Sequence, residues 1–242
     1  MNIGLEKYRY YFETLRENPL FKDISNESLA ALLKISTSLY WEKKTCILDT
    51  DNTFHKFYII IFGKVKVYNF DPQNNRELTL NILTDSDIFN VCTLINGDSS
   101  ILFYEALEFT EVLWIPIDQM RQWMADNPAI YKPFLSYVVK KTEKLEVAVS
   151  DLCLKNTSTR LANLLVQHLN IATNKIEVIN GLSHDELAAL IGTTRAVLNR
   201  HLQEFKEDGI LKIKRKNIEI IDLPLLIQKM HTTSTATAYF KN

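Results

Sequence analysis

The stretch that most restricts how this 242-residue chain can fold is 183–221. Ser183-His184-Asp185-Glu186 reads as a capping box, in which the serine hydroxyl accepts from the Glu186 backbone N–H while that carboxylate reaches back. Leu187, Ala188 and Ile191 then share one helical face, and Gly192-Thr193 breaks the helix after about two turns. Either Thr193 or Thr194 can cap the next helix. Its Leu198, Leu202 and Phe205 follow at spacings of four and three, and Glu207-Asp208-Gly209 ends it with Gly at the C′ position. Two short helices about a glycine turn make a helix-turn-helix. Ile210 to Ile221 then alternates on both sides of a basic tip, as a two-stranded wing does.

Subtracting the core positions leaves Arg195, Ala196, Asn199 and Arg200 exposed on the first turns of the second helix. In this motif those positions enter the major groove. Arg195 and Arg200 can each donate two hydrogen bonds to guanine O6 and N7, and Asn199 can pair with adenine or hold a phosphate. On the wing, Lys212, Lys214, Arg215 and Lys216 can lie along a phosphate backbone. One such cation alone would read as a solvated surface charge; the cap, turn, core spacing, paired arginines and basic wing together read as a DNA-binding surface. The charge balance agrees. Residues 1–154 hold 16 Lys and Arg against 21 Asp and Glu, whereas 155–242 hold 12 against 8. An acidic body with a basic end is suited to a polyanionic partner.

The N-terminal part has a different period. Leu5, Tyr8, Phe12 and Leu15 mark an amphipathic helix over 5–17 that Asn18-Pro19 terminates. Ser25 or Asn26 can cap a second helix carrying Leu29, Leu32, Leu33 and Ile35. Phe57 to Phe62 is a β-rich run followed by Gly63, and Lys64 to Tyr68 alternates before a hairpin tip at 71–75. Further alternation over 77–83 and strand-like runs over 103–115 predict an antiparallel roll across roughly 40–117. From Asp126 the period turns helical. Val138, Leu145 and Leu152 recur at sevens with Phe134, Ala148 and Val149 between them. That seam suits a dimer, and the other reading is a long helix lying on its own domain. A further helix runs from Arg160 to Leu169. The fold class is α+β: a sensor roll over 1–125, a dimerisation helix over 126–153, a winged helix-turn-helix over 154–230, and a tail over 231–242 without an assigned role.

Three cysteines, Cys46, Cys92 and Cys153, have neither disulfide nor metal spacing, and no ~18-residue apolar run marks a membrane span. The start of the chain lacks signal-peptide character. These features predict a cytoplasmic protein. Cys92 is the best candidate nucleophile, but no catalytic motif surrounds it, so it reads as a buried, inert thiol and the chain is not expected to be an enzyme.

Leu187-Ala188-x-x-Ile191-Gly192-Thr193-Thr194-Arg195 and Asp208-Gly209-Ile210-Leu211 resemble the DNA-binding domain of the Crp/Fnr transcription regulators. Asn18 to Phe21, Phe57 to Tyr68 and Arg160 to Leu165 resemble the family's opening, its roll hairpin and the helix after its dimer helix. The resemblance implies a cyclic-nucleotide-binding-like roll, a homodimer on palindromic promoter DNA, and RNA polymerase as a partner. It matches Arg195 and Arg200 to base-reading positions, with Asn199 at a frequent contact, and it matches Ser183, Thr193 and Thr194 to phosphate contacts. Ala196 stands where the family carries a glutamate, which predicts an altered half-site. Asp185, a like charge, is expected to avoid phosphate, and His201 to be a solvated surface histidine or a backbone contact. In members that bind cAMP a Gly-Glu pair and an arginine hold the ribose and phosphate. Here the matching positions read Phe89-Asn90-Val91 and Ser100, so cAMP is not expected. The cysteine cluster of the iron–sulfur members is absent, so no cluster is expected either. An effector, where there is one, would meet Tyr58, Ile60, Phe89, Asn90, Val91, Leu94 and Ser100. The second reading is a winged-helix interaction module with only non-specific DNA affinity.

Overall fold

The structure is a computed structural model and describes residues 5–46, 55–97, 102–173, 175–214 and 217–231. It divides into two compact units. The first comprises 1–69 and 81–143, and the second comprises 70–80 and 144–242.

The first unit opens with α1 (Leu5–Glu17) and α2 (Asn26–Lys34). The Ser25 hydroxyl caps α2 by accepting from the Ser28 backbone N–H. Seven strands follow along the chain: β1 (Thr37–Trp41), β2 (Lys56–Phe62), β3 (Val65–Asp71), β4 (Arg76–Leu83), β5 (Ile88–Phe89), β6 (Phe103–Ala106) and β7 (Thr110–Pro116), of which the end of β3 and the start of β4, within 70–80, group with the second unit. They form a roll of two antiparallel sheets, ordered β1-β7-β2-β5 and β4-β3-β6. Between β5 and β6 sits α3 (Val91–Asn96), and α4 (Ile117–Asp126) continues directly from β7. Gly63 sits at φ +107° where a Cβ would stand 2.6 Å from Thr110 Oγ1, so the turn out of β2 accepts only glycine.

Alternation along β2 explains why both faces of its sheet are dry. Phe57, Ile59 and Ile61 point to the helices and join Tyr11, Leu15, Leu29, Leu33, Met120 and Trp123 in one core. Tyr58 and Ile60 point between the sheets, where they meet Trp41, Val65, Phe89, Tyr104 and Val112. Burying each such side chain is worth about 1.5–3 kcal/mol. The inter-sheet core is a run of rings: Tyr58 and Phe89 stack at 4.6 Å, and Phe89 and Tyr104 at 4.9 Å.

The long helix α5 (Tyr131–Leu154) starts after a single 3-10 turn. Its first half is fastened to the roll by Tyr137, whose hydroxyl donates to Asp87, and by Lys141, which pairs with Asp87 at 2.8 Å. Burial, reinforced by the Asp87 carboxylate, pushes the Tyr137 phenol well above its ordinary range. Phe134 is buried in the roll-side core and Val138 packs against it. These two residues of the expected dimer seam therefore serve their own domain. The heptad spacing could not say what covers the first turns of this stripe. The rest of the helix leaves Leu135, Val139, Leu145 and Val149 exposed, with Ala148 also open.

In the second unit α6 (Thr157–Gln167) packs on α9 (Leu223–His231), and the β8–β9 pair (Leu169–Asn170, Lys175–Ile176) leads to α7 (His184–Leu190), α8 (Arg195–Glu207) and the strands β10 (Leu211–Lys214) and β11 (Asn217–Ile220). Asn156 caps α6 by accepting from the Thr159 N–H. Burial, with a smaller push from Lys144, holds the His168 imidazole below the ordinary histidine range. Among the described residues no helix is long and apolar enough to cross a membrane.

Candidate nucleic-acid interface

The capping box at the start of α7 is formed. Ser183 accepts from the Glu186 N–H, and the Glu186 carboxylate accepts from the Ser183 N–H. Leu187, Ala188 and Ile191 are buried. Gly192 turns the chain at φ +61°, and Thr193 N–H donates back to the Ala188 carbonyl at 2.9 Å. Of the two candidate caps for α8 it is Thr194 that acts, accepting from the Val197 N–H. Leu198, Leu202 and Phe205 are buried, which turns the opposite face of α8 outward. At its end Gly209 N–H donates to the Lys206 carbonyl and Ile210 N–H to the Phe205 carbonyl, the paired bonds of a Schellman closure. Both ends of α8 are thereby fixed, and its side chains are presented from a rigid element.

Arg195 and Arg200 are exposed, with 62% and 65% of their side-chain surface open. Each carries an acidic neighbour: Asp185 lies 3.1 Å from Arg195, and Glu204 lies 3.7 Å from Arg200 Nε. Exposed pairs of this kind are worth about 0–1 kcal/mol and can be exchanged for another acceptor. Asn199 is half-exposed and bonds through Oδ1 to His184 Nδ1 at 2.5 Å. The three expected base readers all lie on the first two turns of α8, Arg195 one turn before Asn199 and Arg200 next to it, and sequence reasoning missed the His184 contact. His201 is less open than expected: only 12% of its side chain is exposed, and Nδ1 meets Glu204 at 2.7 Å.

The wing is antiparallel, with Leu211 opposite Ile220 and Lys214 opposite Asn217. Leu211 and Ile220 are buried, while the alternate positions Lys212 and Lys214 are exposed. Glu219 lies 3.8 Å from the Lys214 ammonium. Arg215 and Lys216, at the tip, lie outside the described residues. Thr194 is exposed and Ser183 and Thr193 are half-exposed.

The described residues among those expected around an effector divide between two cores. Tyr58, Ile60 and Phe89 belong to the inter-sheet core, whereas Leu94 and Val91 belong to the core beneath the helices. Asn90 is buried between them; its amide donates to the Lys56 carbonyl and its Oδ1 accepts from Thr93. Ser100 lies outside the described residues. Cys92 is exposed, contrary to the expectation of a buried thiol, because α3 turns Thr93 and Leu94 inward instead. Cys46 and Cys153 are exposed too. Among the described residues no group of three or more His, Cys, Asp or Glu is placed to hold a metal ion.

Comparison with known proteins locates the same two parts. Residues 159–229 match the Crp-like helix-turn-helix domain, and residues 39–127 match the cyclic nucleotide-binding domain. The chain is 26% identical over 223 residues to the CRP-like cAMP-activated global transcriptional regulator of Mycobacterium tuberculosis, covering 90% of this chain and 98% of that one. It is also 26% identical over 186 residues to the global nitrogen regulator of a Nostoc species, covering 74% and 83%. A CRP/FNR-family transcriptional regulator of Thermus thermophilus, 19% identical, has the same fold with a TM-score of 0.64 over 81% of this chain and 99% of that one.

Proposed function

We propose that the chain is a DNA-binding transcription regulator of the Crp/Fnr kind, which its two matching domains and its relatives support, and that it binds a palindromic promoter site as a homodimer. Arg195, Asn199 and Arg200 meet base edges, and Ser183, Thr193, Thr194, Lys212, Lys214 and Arg215 lie along the phosphates. One observation carries this reading: both base-reading arginines are exposed on the first turns of a helix that Leu198, Leu202 and Phe205 anchor in the core. A docking module would need no such pair. Bidentate arginine contacts to guanine are worth about 1–3 kcal/mol each in discrimination. Arg200→Ala therefore lowers affinity for the cognate site by roughly 1–3 kcal/mol while leaving affinity for random duplex nearly unchanged. An anisotropy titration on both duplexes checks this, and equal affinity of the two proteins for the cognate site contradicts it.

Two subunits would place their recognition helices in successive major grooves, about 34 Å apart. The cover for Leu135, Val139, Leu145 and Val149 would come from the same helix of the second copy. RNA polymerase is the proposed partner at the promoter, and the setting is the cytoplasm.

The Mycobacterium relative is described as cAMP-activated. In this chain we propose that the roll does not take cAMP. A cyclic phosphate needs a cation and the ribose an acceptor, yet Phe89-Asn90-Val91 supplies neither, and both ends of the Asn90 amide are engaged inside the protein. Calorimetric titration with cAMP is expected to give no heat of binding; micromolar affinity would overturn this part of the proposal.

A further inference from the structure

We propose that Leu78, on the β3–β4 hairpin, is a positioning residue for DNA binding: it braces the turn between α7 and α8 from outside the helix-turn-helix and so holds the recognition helix in place. The inference rests on the reading of α8 as that helix.

Two observations meet at Leu78. β3 and β4 are neighbouring strands in one sheet of the roll, yet their hairpin end, residues 70–80, belongs to the second compact unit together with the winged helix. Within that unit one meeting point is Gly192. A Cβ there would stand 2.7 Å from Leu152 Cδ2 and 3.6 Å from Leu78 Cδ1. Leu152 thus fills the place of the missing side chain, and Leu78 borders it at ordinary van der Waals distance. One methyl group comes from the last turns of α5 and the other from a roll strand, while the residue between them belongs to the helix-turn-helix. Leu78 is half-buried, and the hairpin that carries it is tied at its tip, where the Asp71 carboxylate accepts from the Gln73 and Asn74 backbone N–H groups and from the Asn74 amide.

The turn matters to DNA binding because α8 starts three residues later. Thr193 N–H donates to the Ala188 carbonyl at 2.9 Å, and Thr194 caps α8 by accepting from the Val197 N–H. The backbone at 192 therefore sets where Arg195 begins and, through the helix, where Arg200 stands. A turn immobilised before DNA arrives lowers the ordering cost that binding must otherwise meet. That saving goes to contacts made by α8 with bases. Phosphate contacts from the wing do not pass through this turn, so affinity for random duplex gains little from it.

The test uses the full chain. Leu78→Ala removes the brace, and Leu83→Val is the control, because Leu83 lies farther along β4 in the inter-sheet core. Amide hydrogen exchange is followed in peptides covering 188–197 and in peptides covering β2 and β7, which report that the roll is folded. Leu78→Ala is expected to speed exchange over 188–197 severalfold while β2 and β7 exchange as before. It should also weaken binding to a duplex selected from a randomised pool by roughly threefold to tenfold, with binding to random duplex nearly unchanged. Leu78→Val should show both changes in smaller measure, Leu78→Met, which keeps the volume, should show neither, and Leu83→Val should leave 188–197 and the selected duplex unaffected. Unchanged exchange over 188–197, unchanged or tighter binding to the selected duplex, or an equal effect from Leu83→Val overturns the inference. If the Leu78 variants change nothing while Arg200→Ala still relaxes guanine selection, the inference falls and the recognition helix stands. If Arg200→Ala relaxes no selection, the reading of α8 falls, and the inference with it.

Discussion

Arg195 and Arg200 are side chains with provisional partners. Asp185 and Glu204 pair with them at a strength that solvent screening keeps small, so in the proposed complex a guanine edge would replace those carboxylates without stranding a buried charge. Lys214 differs in kind. It is a point charge on the wing with Glu219 beside it, suited to any phosphate and to no particular base. Lys214→Ala should therefore weaken binding to all duplexes alike and reduce the salt slope by about one unit. Titrations at several salt concentrations measure both effects, and a loss confined to the cognate site would contradict the assignment. Arg200 was legible in the sequence because period 3.6, once Leu198, Leu202 and Phe205 are assigned inward, leaves its side outward, and Arg195 because it stands at the first position after the Thr194 cap. The tie between His184 and Asn199 was not legible. It joins residues fifteen apart across a turn, and no periodicity reports on the angle between two helices. Cys92 was misread for a related reason: a six-residue helix is too short for its apolar face to be told from its polar one.

At the scale of elements, the pieces marked by end chemistry were the easiest to read. Ser183 to Glu186 and Asp208-Gly209 announce their own hydrogen bonds, and both termini form as the sequence implies. The roll was legible from alternation. α4 was not, because it follows β7 without a break and Pro116 at its start provides no side-chain cap, so the apolar run of a strand passes straight into that of a helix. Phe134 and Val138 illustrate the complementary limit: a heptad shows that a stripe must be covered but not by which surface. The turn between α7 and α8 gives a direct test of the local geometry. Gly192 lies at φ +61°, and a Cβ there would come within 2.7 Å of Leu152 Cδ2. Leu152, expected in the dimer seam, is thus packed at this turn within its own unit. Gly192→Ala should destabilise the protein by about 1–2 kcal/mol through the left-handed backbone, with crowding in addition. Urea denaturation followed by circular dichroism checks it; an unshifted midpoint would show that the turn is not built as described.

For the whole molecule, the proposed dimer would join the exposed apolar residues of α5 to the basic end of the chain in one design. A single winged helix-turn-helix reads only a few base pairs, and doubling it through a two-fold axis doubles the contacts and sets their spacing. Leu145 and Val149 are 47% and 52% exposed in the single chain, four residues apart on one side of α5 where a second copy could cover them. Introducing glutamate at both positions should yield a monomer in sedimentation velocity, with its roll and winged helix still folded; an unchanged sedimentation coefficient would place the interface elsewhere. Selection of duplexes from a randomised pool by the full chain tests the central claim most directly. The expected product is an inverted repeat whose half-sites lie one helical turn apart, with a guanine in each that disappears from the selected set when Arg200→Ala is used. Recovery of no common motif, or of one that Arg200→Ala leaves unchanged, would contradict the account.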